Sequence, residues 1–254
     1  MIAITFLGTG TSQGVPVIGC GCPVCRSLDY RDKRLRTAVH INADGLSLCI
    51  DTGPDFRQQM LRENINHLDA VLFTHAHKDH TAGLDDVRAY NFMQQTDMPV
   101  YGTTPTLDQL KVEFAYAFAE EYYPGIPRIA LNTIDHEPFT IRGVTITPLP
   151  VWHHKMPVLG FRVGDFSYIT DANAIPPETM ERLRGSKVLV LNALQHEPHI
   201  SHFSLSDALA VAREVNAGQT FFTHMSHRLG LHADIAKTLP DNVALAYDGL
   251  QVTV

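Results

Sequence analysis

Apolar and polar positions alternate with a period of two along much of the chain. "IAITFLG" (2–8), "RTAVHINAD" (36–44) and "GLSLCID" (45–51) predict strands, with turn chemistry at Gly8 to Gly14 and at Ala43-Asp44-Gly45. The spacing then changes. In "PDFRQQMLRENIN" (54–66) Pro54 stands near the start and Phe56, Met60, Leu61 and Ile65 share roughly one face, which predicts a helix. "LDAVLFTH" (68–75) reads as a fully buried strand ending at Thr74-His75, "MPVYG" (98–102) as a short strand, and "PTLDQLKVEFAYAFAEEYY" (105–123) as a helix. The second half repeats the style. Strands are expected in 139–151, 158–172, 187–194, 219–224 and 243–254, with helices around 177–184 and 204–216. Two strand-rich halves, each with helices, predict an α/β chain of two sheets face to face with helices outside. No period of 20 to 50 residues recurs, which argues against a solenoid.

Composition narrows the function classes. At 254 residues without a Gly/Ser/Pro-rich linker, residues 1–254 are expected to form a single domain. The 20 basic and 27 acidic residues leave a formal charge of −7, which makes a nucleic-acid partner unexpected. No apolar run approaches the roughly 18 to 20 residues of a membrane span, so a cytoplasmic protein with no membrane partner is expected. Three of the four cysteines, Cys20, Cys22 and Cys25, crowd into the loop at 19–26. That density suits thiolate ligands of zinc better than a disulfide framework, but a closed zinc site needs four ligands and the loop offers three. Cys49, inside "SLCID", reads as a buried strand residue.

The densest chemistry is "FTHAHKDH" (73–80). Alternation puts His75 and His77 on one side of an extended segment, with Asp79 and His80 at the following turn, so four metal-ligand types gather at the end of a buried strand. One centre cannot easily use all four, and the geometry assigns the first two to one ion and the second two to a neighbour. Such nitrogen and oxygen mixtures suit Zn²⁺ or Mn²⁺. His153 in "PLPVWHHK", Asp171 in "YITDA" and His224 in "FFTHMSH" each follow a strongly apolar run and would emerge at a sheet edge.

With those downstream residues, "THAHKDH" resembles the signature of the metallo-β-lactamase superfamily, over nearly the whole chain from "LGTGTSQGVP" to "YDGLQV". The resemblance implies an αββα sandwich of two mixed β-sheets holding two divalent ions at one edge. His75, His77 and His153 would take the first ion, Asp79, His80 and His224 the second, and Asp171 would bridge them; adjacent His154 is the alternative to His153. More closely, the chain is similar to the phosphoribosyl 1,2-cyclic phosphodiesterase branch of the carbon-phosphorus lyase pathway, and more distantly to the RNase Z group. That branch implies a structural zinc whose fourth ligand lies three residues beyond the last active-site ligand, here His227, completing Cys20, Cys22 and Cys25.

Two ions roughly 3.5–4 Å apart can activate a shared water and bind a phosphate oxygen, which suits hydrolysis of a small phosphodiester. Asp79 and His202 are the expected catalytic residues. His202, in "ISHFSL", falls where the resembling phosphodiesterases carry a catalytic histidine and would give a proton to the leaving alkoxide; His196 and His199 are weaker competitors. Asp51 is expected to hold a ligand imidazole, or to cap the turn at Gly53. "GTGTSQG" lacks the lysine of a P-loop and reads as a wall of the site. Arg34 and Arg36 are expected as a solvated pair rather than a phosphate clamp, and Tyr90, Phe92, Tyr122 and Tyr123 as core aromatics. Specificity is expected from loops 81–98, 113–128 and 196–203. A thioester or lactone hydrolase is the alternative, a non-catalytic carrier the alternative of another class, and a homodimer the expected assembly if the chain associates.

Overall fold

The computed structural model describes residues 1–119 and 124–254. The first half supplies β1 (Ile2–Gly8), β2 (Ala38–Ala43), β3 (Leu46–Ile50), β4 (Ala70–Leu72), β5 (Met98–Gly102) and β6 (Ile129–Thr133). The second supplies β7 (Phe139–Ile141), β8 (Val144–His153), β9 (Met156–Val163), β10 (Phe166–Tyr168), β11 (Val188–Asn192), β12 (Gln219–Thr223), β13 (Val243–Leu245) and β14 (Gln251–Thr253). They form two seven-stranded sheets, ordered β14-β1-β2-β3-β4-β5-β6 and β13-β12-β11-β10-β9-β8-β7. Both are mixed. The run from β3 to β6 and the run from β10 to β13 are parallel, and the remaining pairs are antiparallel. The tight antiparallel turns use left-handed dipeptides, Asp44-Gly45 between β2 and β3 and Arg142-Gly143 between β7 and β8, as two-residue hairpins require.

Among the described residues eight α-helices accompany the strands: α1 (Pro23–Arg26), α2 (Phe56–Arg62), α3 (Lys78–Thr81), α4 (Arg88–Gln94), α5 (Thr104–Glu113), α6 (Pro177–Leu183), α7 (Leu205–Val215) and α8 (His232–Ile235). Three apolar layers result. Ile4, Val39, Leu48 and Leu72 meet Ile146, Phe161, Phe166 and Val190 between the sheets. Phe56, Met60, Leu107 and Leu110 cover the outer face of the first sheet, and Leu183, Ala208, Ala212 and Val215 that of the second. β3 and β11 are buried at every position because each sheet face carries a layer, which is why their sequences read as continuous apolar runs. This is the αββα sandwich the resemblance implied.

Several elements are shorter than the spacing predicts. The strand expected over 68–75 is regular only at Ala70–Leu72, and the chain beyond it is free of the ladder to turn toward the site. The helix expected over 105–123 ends at Glu113, where Phe114 leaves helical geometry at φ −113°, and continues as a 3₁₀ turn over Ala115–Phe118. Tyr122 and Tyr123 lie outside the described residues. Tyr90 is buried as expected, whereas Phe92 points outward and is 62% exposed because the turn of α4 that buries Tyr90 and Asn91 leaves it on the far side. Among the described residues no helix is long and apolar enough to cross a membrane.

Candidate metal centre

The candidate ligands sit where strands end. His153 closes β8, His224 follows β12, Asp171 lies three residues beyond β10, and His75 and His77 lie just past β4. α3 then turns Asp79 and His80 back over the end of β3, held by an Nδ1–H bond from His80 to Asp51 at 2.7 Å. The packing there is tight: a Cβ on Gly53 would collide with the carbonyl oxygen of Asp79, and one on Gly83 with that of Gly53. Asp51, Asp171 and His224 all have left-handed backbones, with φ of 66°, 55° and 56°. Outside glycine that region is uncommon and strained, and Asp, Asn and His tolerate it best.

Among the described residues two groups of donor atoms form here, each with all its atoms within 4.8 Å of one another: His75, His77 and His153, and beside them Asp79, His80, Asp171 and His224; a third set on the same criterion, His153, Asp171 and His202, shares a residue with each. Within the first, Nε2 of His75 and Nδ1 of His77 are 3.0 Å apart. His154 is exposed and outside both groups, so the geometry selects His153, whose Nδ1–H donates to the Ser201 carbonyl at 2.9 Å and leaves Nε2 free. Asp51 is fully buried; its carboxylate also accepts from the Thr74 amide and hydroxyl, both at 2.9 Å. Thr11, in the glycine-rich loop, reaches Nε2 of His224 at 3.3 Å and makes that loop a wall of the site. Thr11, Thr74 and the Ser201 carbonyl are not among the expected ring-orienting groups; Thr74 adjoins a ligand in sequence, whereas Thr11 and Ser201 reach His224 and His153 across 213 and 48 residues and carry no local signal.

The electrostatics fit cations. Burial holds His75, His77 and His224 below the usual imidazole range, so their lone pairs are free. Burial opposes ionisation of Asp79 and Asp171, but neighbouring imidazoles outweigh it (His80 at Asp79, His224 and His80 at Asp171), and both carboxyls stay ionised. His80 goes the other way: burial disfavours its charge, yet Asp171, Asp51 and Asp79 around it raise it well above the normal range. Its Nε2 lies 3.3 Å from both Asp79 and Asp171, and Nδ1 of His224 lies 3.2 Å from Asp171. Neither nitrogen makes a directed hydrogen bond, and both are buried. Orphaned buried nitrogens facing ionised carboxylates are expensive unless a cation completes them, so the donor set fits divalent ions.

His202 lies against the centre, its ring centroid 4.7 Å from that of His153 and 4.9 Å from that of His224, with a buried, unpartnered Nδ1. Burial, reinforced by the His224 ring, pushes it down to about 3. The His199 ring lies behind it, tilted by 31°, with centroids 5.1 Å apart.

The cysteine loop closes as a second, separate cluster. Nδ1 of His227 lies 3.3, 3.5 and 3.4 Å from the Sγ atoms of Cys20, Cys22 and Cys25. Tetrahedral zinc with ordinary Zn–S and Zn–N bonds sets such contacts at about 3.5 Å. The Cys25 amide donates to Sγ of Cys22 and the Val17 amide to Sγ of Cys25, both at 3.4 Å. The first of these holds the Cys22 thiol down at about 6, whereas burial raises Cys25 to about 11. Cys49 is fully buried, as expected.

The arginine expectation is corrected. Arg34 is 5% exposed and donates to Thr9 Oγ1 and the Ala246 carbonyl, both at 2.8 Å, because β1 and the C-terminal segment enclose it. Arg36 pairs with Asp55 at 3.2 Å. Beside the ligands lies a cavity of about 620 Å³ walled by Thr103, Pro105, Thr106, Gln109, His136 and the start of β9.

A family model described as a beta-lactamase superfamily domain matches residues 47–225, well over half the chain. The crystal structure of a diphosphatase from the PhnP family superposes with a TM-score of 0.94 at 40% identity, covering 100% of this chain and 98% of that one. An octanoyltransferase of Porphyromonas gingivalis is 38% identical over 98% of this chain but 51% of its own length, so the chain spans about half of that relative. A ribonuclease Z of Mycobacterium sp. (strain KMS) is 26% identical over 88% of this chain and 84% of that protein.

Proposed function

The chain belongs to the β-lactamase superfamily and to its PhnP family, and from that premise we propose that it is a metal-dependent hydrolase of a small cyclic phosphate or related phosphodiester. The observation that carries this reading is the adjacency of the two donor groups, with buried ring nitrogens that divalent cations would satisfy. Divalent ions held by His75, His77 and His153, by Asp79, His80 and His224, and by Asp171 between them, would supply Lewis-acid polarisation of the phosphoryl group and an acidified water. Asp51 and the Ser201 carbonyl aim the His80 and His153 rings by accepting their Nδ1–H, which leaves Nε2 for an ion. Asp79 contributes an ionised carboxylate on the side of His224. His202, against the rings of His153 and His224, would be the group that gives the leaving alkoxide a proton. The cysteine loop with His227 would hold a separate structural zinc.

Zinc- or manganese-loaded protein is expected to hydrolyse bis(p-nitrophenyl) phosphate, and His77→Ala and Asp171→Asn to reduce turnover to the uncatalysed level with unchanged circular dichroism. Full activity in both variants would sink the proposal. Thioester or lactone hydrolysis is the second reading, favoured by the apolar cavity beside the ligands and by the likeness to an octanoyltransferase. His202→Ala separates them: a diester with a poor leaving group should lose far more rate than a thioester.

A further inference from the structure

β11 ends on Asn192, a fully buried polar side chain outside the ligand set. Val188, Leu189, Val190 and Leu191 precede it, so it closes a buried apolar run as the ligands themselves do. Both ends of its amide are spent on one backbone residue: Oδ1 accepts the Ala172 N–H at 2.8 Å, and Nδ2 donates to the Ala172 carbonyl at 2.9 Å. The two atoms cannot be exchanged, because a main-chain N–H only donates and a carbonyl only accepts. Regular pairing of β10 with β11 ends at Tyr168 and Val190. Beyond it, the Asn192 side chain supplies the two bonds that a strand neighbour would.

Ala172 follows Asp171, whose backbone is left-handed at φ 55°. An aspartate keeps that conformation only where its surroundings over-determine it. The carboxylate so presented lies between both donor groups: Oδ1 is 3.3 Å from His80 Nε2 and 3.2 Å from His224 Nδ1, and Oδ2 is 3.9 Å from His75 Nε2. The Ala172 carbonyl has a second donor, the Phe203 N–H at 2.7 Å, and Phe203 follows His202. Resting on the metal-dependent hydrolase reading, we infer that Asn192 is a positioning residue, clamping Ala172 so that the Asp171 carboxylate faces both donor groups and His202 stands at a fixed distance from it. Nδ1 of His202 is 4.0 Å from Asp171 Oδ2. A displacement of about 1 Å in such a site is enough to cost roughly 100-fold in rate.

Asn192→Leu keeps the approximate volume and removes both bonds; Asn192→Asp keeps the acceptor but turns an oxygen toward the Ala172 carbonyl. Leu189→Ala is the control, since its side chain packs in the outer apolar layer with Ala208 and Ala212 and its loss lowers stability without touching the clamp. In both Asn192 variants, competition with a chromophoric chelator is expected to show at least one zinc equivalent bound about 10-fold more weakly. Amide exchange at Ala172 should accelerate in the zinc-free protein. With bis(p-nitrophenyl) phosphate, kcat should fall roughly 100-fold while KM changes little. Leu189→Ala should melt lower with zinc affinity and kcat unchanged. Unchanged zinc affinity and kcat in Asn192→Leu, equal losses in Leu189→Ala, or failure of both Asn192 variants to fold would overturn the inference. If the unaltered protein shows no hydrolysis while the Asn192 variants still lose zinc affinity, the hydrolase reading falls and the positioning role stands.

Discussion

Asp51 stands in neither donor group, yet its carboxylate accepts from the His80 ring and from both polar groups of Thr74. Asp51→Asn keeps the volume but loses the charge that secures the His80 tautomer. It is expected to weaken metal affinity by roughly 10- to 100-fold with the fold retained, read by competition with a chromophoric chelator. Unchanged affinity would show that the bond is incidental. At this scale the sequence was informative wherever a residue type is restricted by its chemistry: His75, His77, Asp79, His80, Asp171 and His224 announce themselves because imidazoles and carboxylates are seldom placed at the ends of apolar runs. Arg34 was misread because its acceptors, Thr9 and the Ala246 carbonyl, come from both ends of the chain. Nothing local distinguishes a buried arginine from a solvated one.

Among the elements, the cysteine loop is the one least able to hold itself. Its cluster buries only Val15, Val24 and Cys25 fully, too little apolar surface to order a dozen residues against their conformational entropy. The contacts to His227 tie this loop to the segment that presents His224, three residues earlier. Cys25→Ser is therefore expected to lose one zinc equivalent and about 2–3 kcal/mol of stability, roughly 5–10 °C in Tm. Trypsin should then cut at Arg26, Arg31 or Lys33, and a chelator should reproduce the effect in the unaltered protein. Full zinc content and an unchanged melt would refute the structural role. Sequence spacing located the three cysteines, and only the family resemblance supplied His227. The ends of α5 and β4 were overrun because periodicity persists past the point where the backbone leaves the regular ladder.

Across the whole molecule, two sheets contribute to one edge, so acid attacks the centre and the fold together. Burial holds His40 down at about 4, its Nε2–H donating to Ser47 Oγ at 2.8 Å. The unfolded chain takes up this proton near pH 6.5 and the folded chain only near 4, so stability falls as pH drops through that window. For His40 alone the loss reaches about 3 kcal/mol at most. Urea titrations of the zinc-free protein at pH 7 and pH 4.5 should show His40→Gln losing less stability than the parent; equal losses would exclude His40 as the source. The two facing sheets were legible from strand-rich halves of similar length. The cavity was not, because its walls, α5 and β9, meet only once those sheets have packed.

The left-handed corners at positions 51, 171 and 224 carry one more consequence. A backbone with positive φ accepts a short alphabet, chiefly Gly, Asn, Asp and His, and three of those four letters are metal donors or their amide mimic. The scaffold thus pre-sorts its own candidates before any cation arrives. A library randomised at position 171 and screened solely for thermal resistance should return Asn and Gly ahead of Ala, and Ala ahead of Val; recovery of Val as readily as Asn would mean the corner imposes no such filter.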